Sequence, residues 1–185
     1  MNQTYRAFFG FAREPFSAEM KVQEILKTEA VLAVTDRVDY ALRLGSMVMV
    51  TGEVGSGKST ALRFAMHRLH PSEYRLLWVT ATSGSILELY RQIALELEVE
   101  TASFSRALLT RKIRKSILEL TLEKRQKVVL LIDEASLLRL DVFAELHTLT
   151  VNYEKWCSEV EIVTAAAEFP IEHILILAQK SENLG

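Results

Sequence analysis

The sequence predicts an α/β fold in which a parallel sheet is flanked by helices. Three observations lead there. Apolar runs at Met47 to Thr51, Leu76 to Thr80 and Val128 to Ile132 are separated by stretches whose apolar residues repeat at helical spacing. The run Val128-Val129-Leu130-Leu131-Ile132 contains no polar residue, which is the pattern of a strand covered on both faces. The first run passes through a glycine-rich turn directly into a helical stretch, and strands alternating with helices build βαβ units.

Size and composition fit a single domain. The chain has 185 residues, of which 49% are hydrophobic and 25% charged, with a net charge of −2. That charge excludes a polycation, so any contact with nucleic acid must come from a local patch. Cys157 is the only cysteine, which rules out an intramolecular disulfide and a cysteine-rich metal site. The start of the chain lacks the apolar core of a signal peptide, and no apolar run reaches the ~20 residues of a membrane span. A cytoplasmic location with no membrane contact is the expectation.

Taken in order, residues 1–27 form an N-terminal segment with Phe8-Phe9-Gly10-Phe11 and Pro15-Phe16. Phenylalanines gain by burial, so this segment is expected to pack on the core, with adenine stacking as the alternative role for one ring. Residues 28–185 are the expected nucleotide-binding core. Thr28 caps a helix from Glu29 that carries Val31, Leu32, Val38, Ala41 and Leu42 and stops at Gly45. The helix after the glycine-rich turn ends at His70-Pro71, because proline disfavours the α conformation in the residue before it. Thr82-Ser83-Gly84-Ser85 leads into a helix with Ile86, Leu89, Tyr90, Ile93 and Leu97 on one face. Ser103 or Ser105 caps another, from about Arg106 to Glu123, with Ile113, Ile117 and Leu120 facing inward. Its other face carries Arg111, Lys112, Arg114 and Lys115, and Lys124, Arg125 and Lys127 follow. Such a face either tracks phosphates or is simply solvated, and Glu119 and Glu123 dilute it.

Two motifs carry chemistry. Gly52-Glu53-Val54-Gly55-Ser56-Gly57-Lys58-Ser59-Thr60 has the glycine spacing and the Gly-Lys-Ser ending of a P-loop. Glycines allow several backbone N–H groups to converge on one phosphate, and the following helix offers its N-terminus to the same anion. Lys58 supplies a cation for the β/γ-phosphates, and the Ser59 hydroxyl supplies a Mg²⁺ ligand. The second motif is Asp133-Glu134, directly after the long apolar run. Asp133 is the candidate for holding Mg²⁺, and Glu134 for orienting the attacking water and accepting its proton. Together they point to hydrolysis of Mg-ATP, and a water-activating glutamate argues against a small-molecule kinase. His67, His70, His147 and His173 are dispersed and have no metal-ligand spacing.

These two motifs, together with the aromatic segment Phe8 to Phe16, resemble the AAA+ ATPase family of the bacterial type II secretion A protein. That family includes ATPases encoded beside transposases in insertion elements. The resemblance covers about residues 5 to 150, and Asp141 to Thr150 is similar to the mobile-element branch. It implies a RecA-like core, ATP hydrolysis, and assembly into rings or filaments. It also implies DNA and a transposase as partners, as expected of a transposition helper. Two alternatives stand beside this: a secretion-pathway ATPase, or a nucleotide-binding remnant with little turnover. A glutamine often follows Ile-Asp-Glu-Ala in the family, whereas this chain has Ser136. After Thr150 the sequence departs from the pattern. Thr164 and Gln179 are the candidate polar sensors, and Ile176-Leu177-Ala178-Gln179 is closer to the family context. The family's helical lid, sensor arginine and arginine finger do not occur before Gly185, so the lid is expected to be absent. Such fingers are worth on the order of 10³–10⁵ in rate, so slow turnover is the expectation.

Overall fold

The computed structural model describes residues 5–11, 20–82, 85–100, 105–139, 141–142, 145–146 and 160–166. Its centre is a sheet of β1 (Val48–Thr51), β2 (Tyr74–Thr80), β3 (Lys127–Asp133) and β4 (Val160–Ala166), in the order β1-β4-β3-β2 and parallel throughout. The strands are short, and β3 is buried along its length between helical layers, as the inner strand of a parallel sheet must be.

β3 shows how the layers are assigned. Side chains alternate across a strand. Val128, Leu130 and Ile132 therefore join Leu77 and Val79 of β2 on one face, against Leu89, Tyr90 and Ile93 of α4 (Ile86–Glu96) and Leu109 and Ile113 of α5 (Arg106–Leu118). Val129 and Leu131 face the other way. They meet Val38 and Leu42 of α2 (Glu29–Leu44) and Leu62, Ala65 and Met66 of α3 (Lys58–Met66). The β3 residues from Val128 to Ile132 are all buried, and each such side chain contributes about 1.5–3 kcal/mol relative to exposure.

Local chemistry sets the helix ends. Thr28 Oγ1 accepts from the Val31 N–H at 3.3 Å, and α2 stops at Gly45. Ser105 occupies the cap position of α5, although its side chain makes no cap bond. Two boundaries differ from the sequence expectation. α3 ends at Met66 rather than near His70, because Arg68 and Leu69 bond three residues back and tighten the chain into turns. The α5 helix gives way at Glu119–Glu123 to one π-helical turn, where Thr121 Oγ1 bonds the carbonyls of Ile117 and Leu118.

Of the N-terminal segment, residues 5–11 and 20–27 are described, and Pro15-Phe16 lies outside the described residues. The short helix α1 (Tyr5–Phe9) has no buried residue, and Phe8 and Phe9 are 72% and 63% exposed. Their rings pack on one another, with Phe8–Phe9 centroids 4.9 Å apart, rather than on the core. Closer to the core, Ile25 is buried and the Lys27 ammonium lies over the Phe64 ring. Among the described residues no helix is long and apolar enough to cross a membrane.

Candidate functional site

β1 runs out at Thr51, and the chain turns through Gly52 to Gly57 before α3 begins at Lys58. The turn is closed by its own backbone, with the Ser56 N–H donating to the Glu53 carbonyl at 3.2 Å. A Cβ at Gly52 would meet Ser56 Oγ at 3.0 Å, a tight approach that the exposed serine side chain would have to relieve. Gly57 sits at φ 86°, ψ 18° as the residue before α3, a left-handed conformation that L side chains resist. No atom lies within 4 Å of a Cβ built there, so backbone conformation rather than space calls for glycine. The first N–H groups of a helix have no intrahelical acceptor, and the dipole adds positive potential at the same end.

Lys58 is the first residue of α3, and its side chain folds back over the loop. Its Nζ donates to the Gly52 carbonyl at 2.9 Å and to the Glu53 carbonyl at 2.8 Å. Those bonds fix a positive charge at the loop's mouth. Ser59 lies one residue on and is half-buried. Its Oγ donates to Asp133 Oδ1 at 3.0 Å, across 74 residues of sequence. The parallel sheet makes this contact: β1 and β3 flank β4, so their C-terminal ends open on the same edge.

Asp133 Oδ1 also accepts the Glu134 N–H at 3.0 Å. Glu134 adopts φ 54°, ψ 34°, an unusual conformation for a residue with a side chain. It turns the chain out of β3 into a 3₁₀ turn, Ala135–Leu137, and leaves its own carboxylate exposed. The structure therefore gathers Gly52, Gly57, Lys58, Ser59, Asp133 and Glu134 at one sheet edge. Thr60 is half-buried in the first turn of α3. Glu53, Val54, Gly55 and Ser56 are exposed, Val54 at 89%. A serine hydroxyl and a carboxylate at hydrogen-bond distance are hard oxygen donors of the kind Mg²⁺ takes alongside water and phosphate. Among the described residues no cluster of three His, Cys, Asp or Glu offers an all-protein metal cage.

The sensor candidates fare differently. In register, Thr164 lies opposite Met49 and Ile132 within the sheet, whereas Ala166 is the residue opposite Thr51. Gln179 lies outside the described residues. Arg139 is exposed and ion-paired with Asp141 at 2.9 Å.

A model of the AAA domain family matches residues 42–179, most of the chain. The chain belongs to the AAA domain family. As an AAA domain it is one of the ATP-binding P-loop NTPases. Over 147 residues it is 28% identical to General secretion pathway protein A of Aeromonas hydrophila, a match covering 79% of this chain and 27% of that protein. The AAA domain thus spans about a quarter of that relative's length. Among solved structures it is similar to the Aeropyrum pernix ORC2 protein in its ADPNP-ADP complexes, with a TM-score of 0.61 and 14% identity over 84% of this chain and 44% of that one. It is similar also to Cdc6p from Pyrobaculum aerophilum, with a TM-score of 0.62 and 16% identity over 83% and 42%. At these identities the likeness carries the fold: an α/β AAA+ core with a parallel sheet between helices.

Sequence reasoning missed one polar cluster, which lies between α4, α5 and the chain beyond β3. The Tyr90 hydroxyl donates to Glu145 Oε1 at 3.2 Å, and Glu145 is ion-paired with Arg106. Tyr90 reads in the sequence only as one of the inward residues of α4. A signal was present, because a buried tyrosine hydroxyl requires a partner.

Proposed function

We propose that this AAA domain binds and hydrolyses Mg-ATP, assembles with further copies of itself, and acts on DNA as a helper of transposition. The observation that carries the hydrolytic part is the Ser59–Asp133 contact beside the anchored Lys58 ammonium. When bound, Mg²⁺ neutralises charge on the phosphate oxygens, and ATP supplies the scissile anhydride. The chain's own residues do the rest. Lys58 holds positive charge where the terminal phosphates of the nucleotide would lie. Ser59 and Asp133 offer the two protein oxygens for the metal. The Glu134 carboxylate, exposed at the end of β3, orients a water molecule and accepts its proton.

The DNA part rests on charge distribution and on sequence similarity from Asp141 to Thr150. Residues 106–127 hold eight of the chain's 22 Lys and Arg and only two of its 24 Asp and Glu. Lys112, Lys115 and Lys124 line, with Arg75, a cavity of about 1160 Å³ at the sheet end opposite the P-loop. Ion pairs of Arg75 with Glu98 and Lys115 with Glu119 reduce that charge without reversing it. A secretion-pathway role is the second reading, favoured by the 28% identity to General secretion pathway protein A.

Phosphate release and duplex binding test these statements separately. Wild type is expected to hydrolyse ATP, Lys58→Ala to lose nucleotide affinity, and Glu134→Gln to bind but not turn over. Turnover by Glu134→Gln at the wild-type rate removes Glu134 from its role. DNA affinity that rises with ATP and falls with salt supports the transposition reading; no binding at low salt contradicts it.

A further inference from the structure

The segment after Glu134 is anchored in a way that hydrolysis itself does not require. Ala135, Leu138, Val142 and Leu146 are all buried, and all four join the cluster built from α4 and α5. The chain leaving the candidate site is thus seated on the helical layer that carries the basic face of α5.

One polar contact set ties these pieces together. Tyr90 of α4 is 1% exposed, and its hydroxyl reaches Glu145 in the segment beyond β3. Glu145 in turn is ion-paired with Arg106, the first residue of α5. Burial, with the Glu145 carboxylate beside it, pushes the Tyr90 phenol above its ordinary value, so it remains a donor at neutral pH. Next to this cluster lies a cavity of about 510 Å³, bordered by Ser85, Ile86, Arg106, Arg139, Asp141 and Glu145. Glu134 stands at the head of the same segment in a left-handed conformation that a residue with a side chain rarely adopts.

We propose that the Tyr90–Glu145–Arg106 cluster couples the candidate nucleotide site to helix α5, so that occupation of the P-loop and Asp133 alters the order of α5 through the buried anchors Ala135, Leu138, Val142 and Leu146 that follow Glu134. Tyr90 and Glu145 act as positioning residues, since neither touches the nucleotide site. A purely apolar contact could slide. A half-buried hydrogen bond and an ion pair meeting at one carboxylate fix Glu145 against both helices. The inference rests on nucleotide binding at Lys58 and Ser59.

The test is amide hydrogen exchange of the full chain with and without Mg²⁺ and a non-hydrolysable ATP analogue. It is run on wild type, Tyr90→Phe and Glu145→Gln, with nucleotide affinity measured on the same samples. Coupling energies of the usual size predict that exchange within residues 107–118 of wild type changes about fivefold or more on nucleotide binding. Both variants should bind the analogue within about twofold of wild type and lose most of that α5 response. Tyr90→Phe keeps the ring and removes one hydroxyl, so it remains informative if Glu145→Gln folds poorly. An α5 response unchanged in Tyr90→Phe overturns the coupling, as does wild type that binds nucleotide with no change in α5. Failure of wild type to bind nucleotide removes the reading of the site itself, and the coupling with it.

Discussion

Replacing Glu134 separates two things that one residue does. Its carboxylate is the proposed base, and its backbone holds φ 54°, ψ 34° at the exit of β3. Its N–H bond to Asp133 Oδ1 is a main-chain contact, so no substitution other than proline removes it. Glu134→Ala and Glu134→Gly both delete the carboxylate, but only glycine relieves the left-handed strain. A non-glycine residue in that region costs about 1–2 kcal/mol. Glycine gives back about 0.5–1 kcal/mol through its more flexible unfolded chain. At the middle of both ranges the balance favours Glu134→Gly over Glu134→Ala by roughly 0.75 kcal/mol, about fourfold in the unfolding equilibrium. Urea denaturation of both variants, compared at equal m-value, measures this difference, and phosphate release should be lost in both. Glu134→Ala equal to or more stable than Glu134→Gly would refute the claim that the backbone there is held against its preference.

Other consequences can be measured alongside. Thr28→Ala removes the cap bond to the Val31 N–H and should cost about 1 kcal/mol with nucleotide affinity unchanged. Leu131→Ala opens a hole in the α2–α3 face of β3 and should cost about 2–5 kcal/mol in the same denaturation assay. Gly52→Ala should weaken nucleotide binding more than it lowers stability, because its Cβ would press on Ser56 Oγ inside the loop. Tyr90 titrates above its ordinary value of 10.0, so its contribution to stability is whole below pH 10 and declines as pH rises beyond it. Tyr90→Phe should flatten that alkaline loss relative to wild type, read by denaturation between pH 9 and 11.

What could be read from the sequence was local or strongly patterned. Thr28 and Gly45 bracket α2 because caps and stops act within a few residues. The unbroken run from Val128 to Ile132 identifies a doubly covered strand before any partner is known. The spacing from Gly52 to Thr60 foretells the loop, and the Ser59–Asp133 contact follows once both strands share a sheet. Strand order was out of reach, since nothing near Val160 encodes its insertion between β1 and β3. The left-handed Glu134 was likewise illegible, because glutamate gives no local hint of positive φ. Phe8, Phe9 and Phe11 were expected against the core, yet they satisfy part of their apolar surface against each other. The Tyr90–Glu145–Arg106 cluster joins three elements far apart in sequence, a relation that neither periodicity nor motif spacing reports.

The central claim is that Ser59 and Asp133 together hold the metal of a Mg-ATP site. Calorimetric titration of ATP into wild type, Ser59→Ala and Asp133→Asn, each with Mg²⁺ and with chelator, tests it most directly. The account predicts that Mg²⁺ strengthens ATP binding to wild type by about tenfold or more, and that both variants lose this gain while keeping their metal-free affinity. Variants that retain the full Mg²⁺ gain would contradict it.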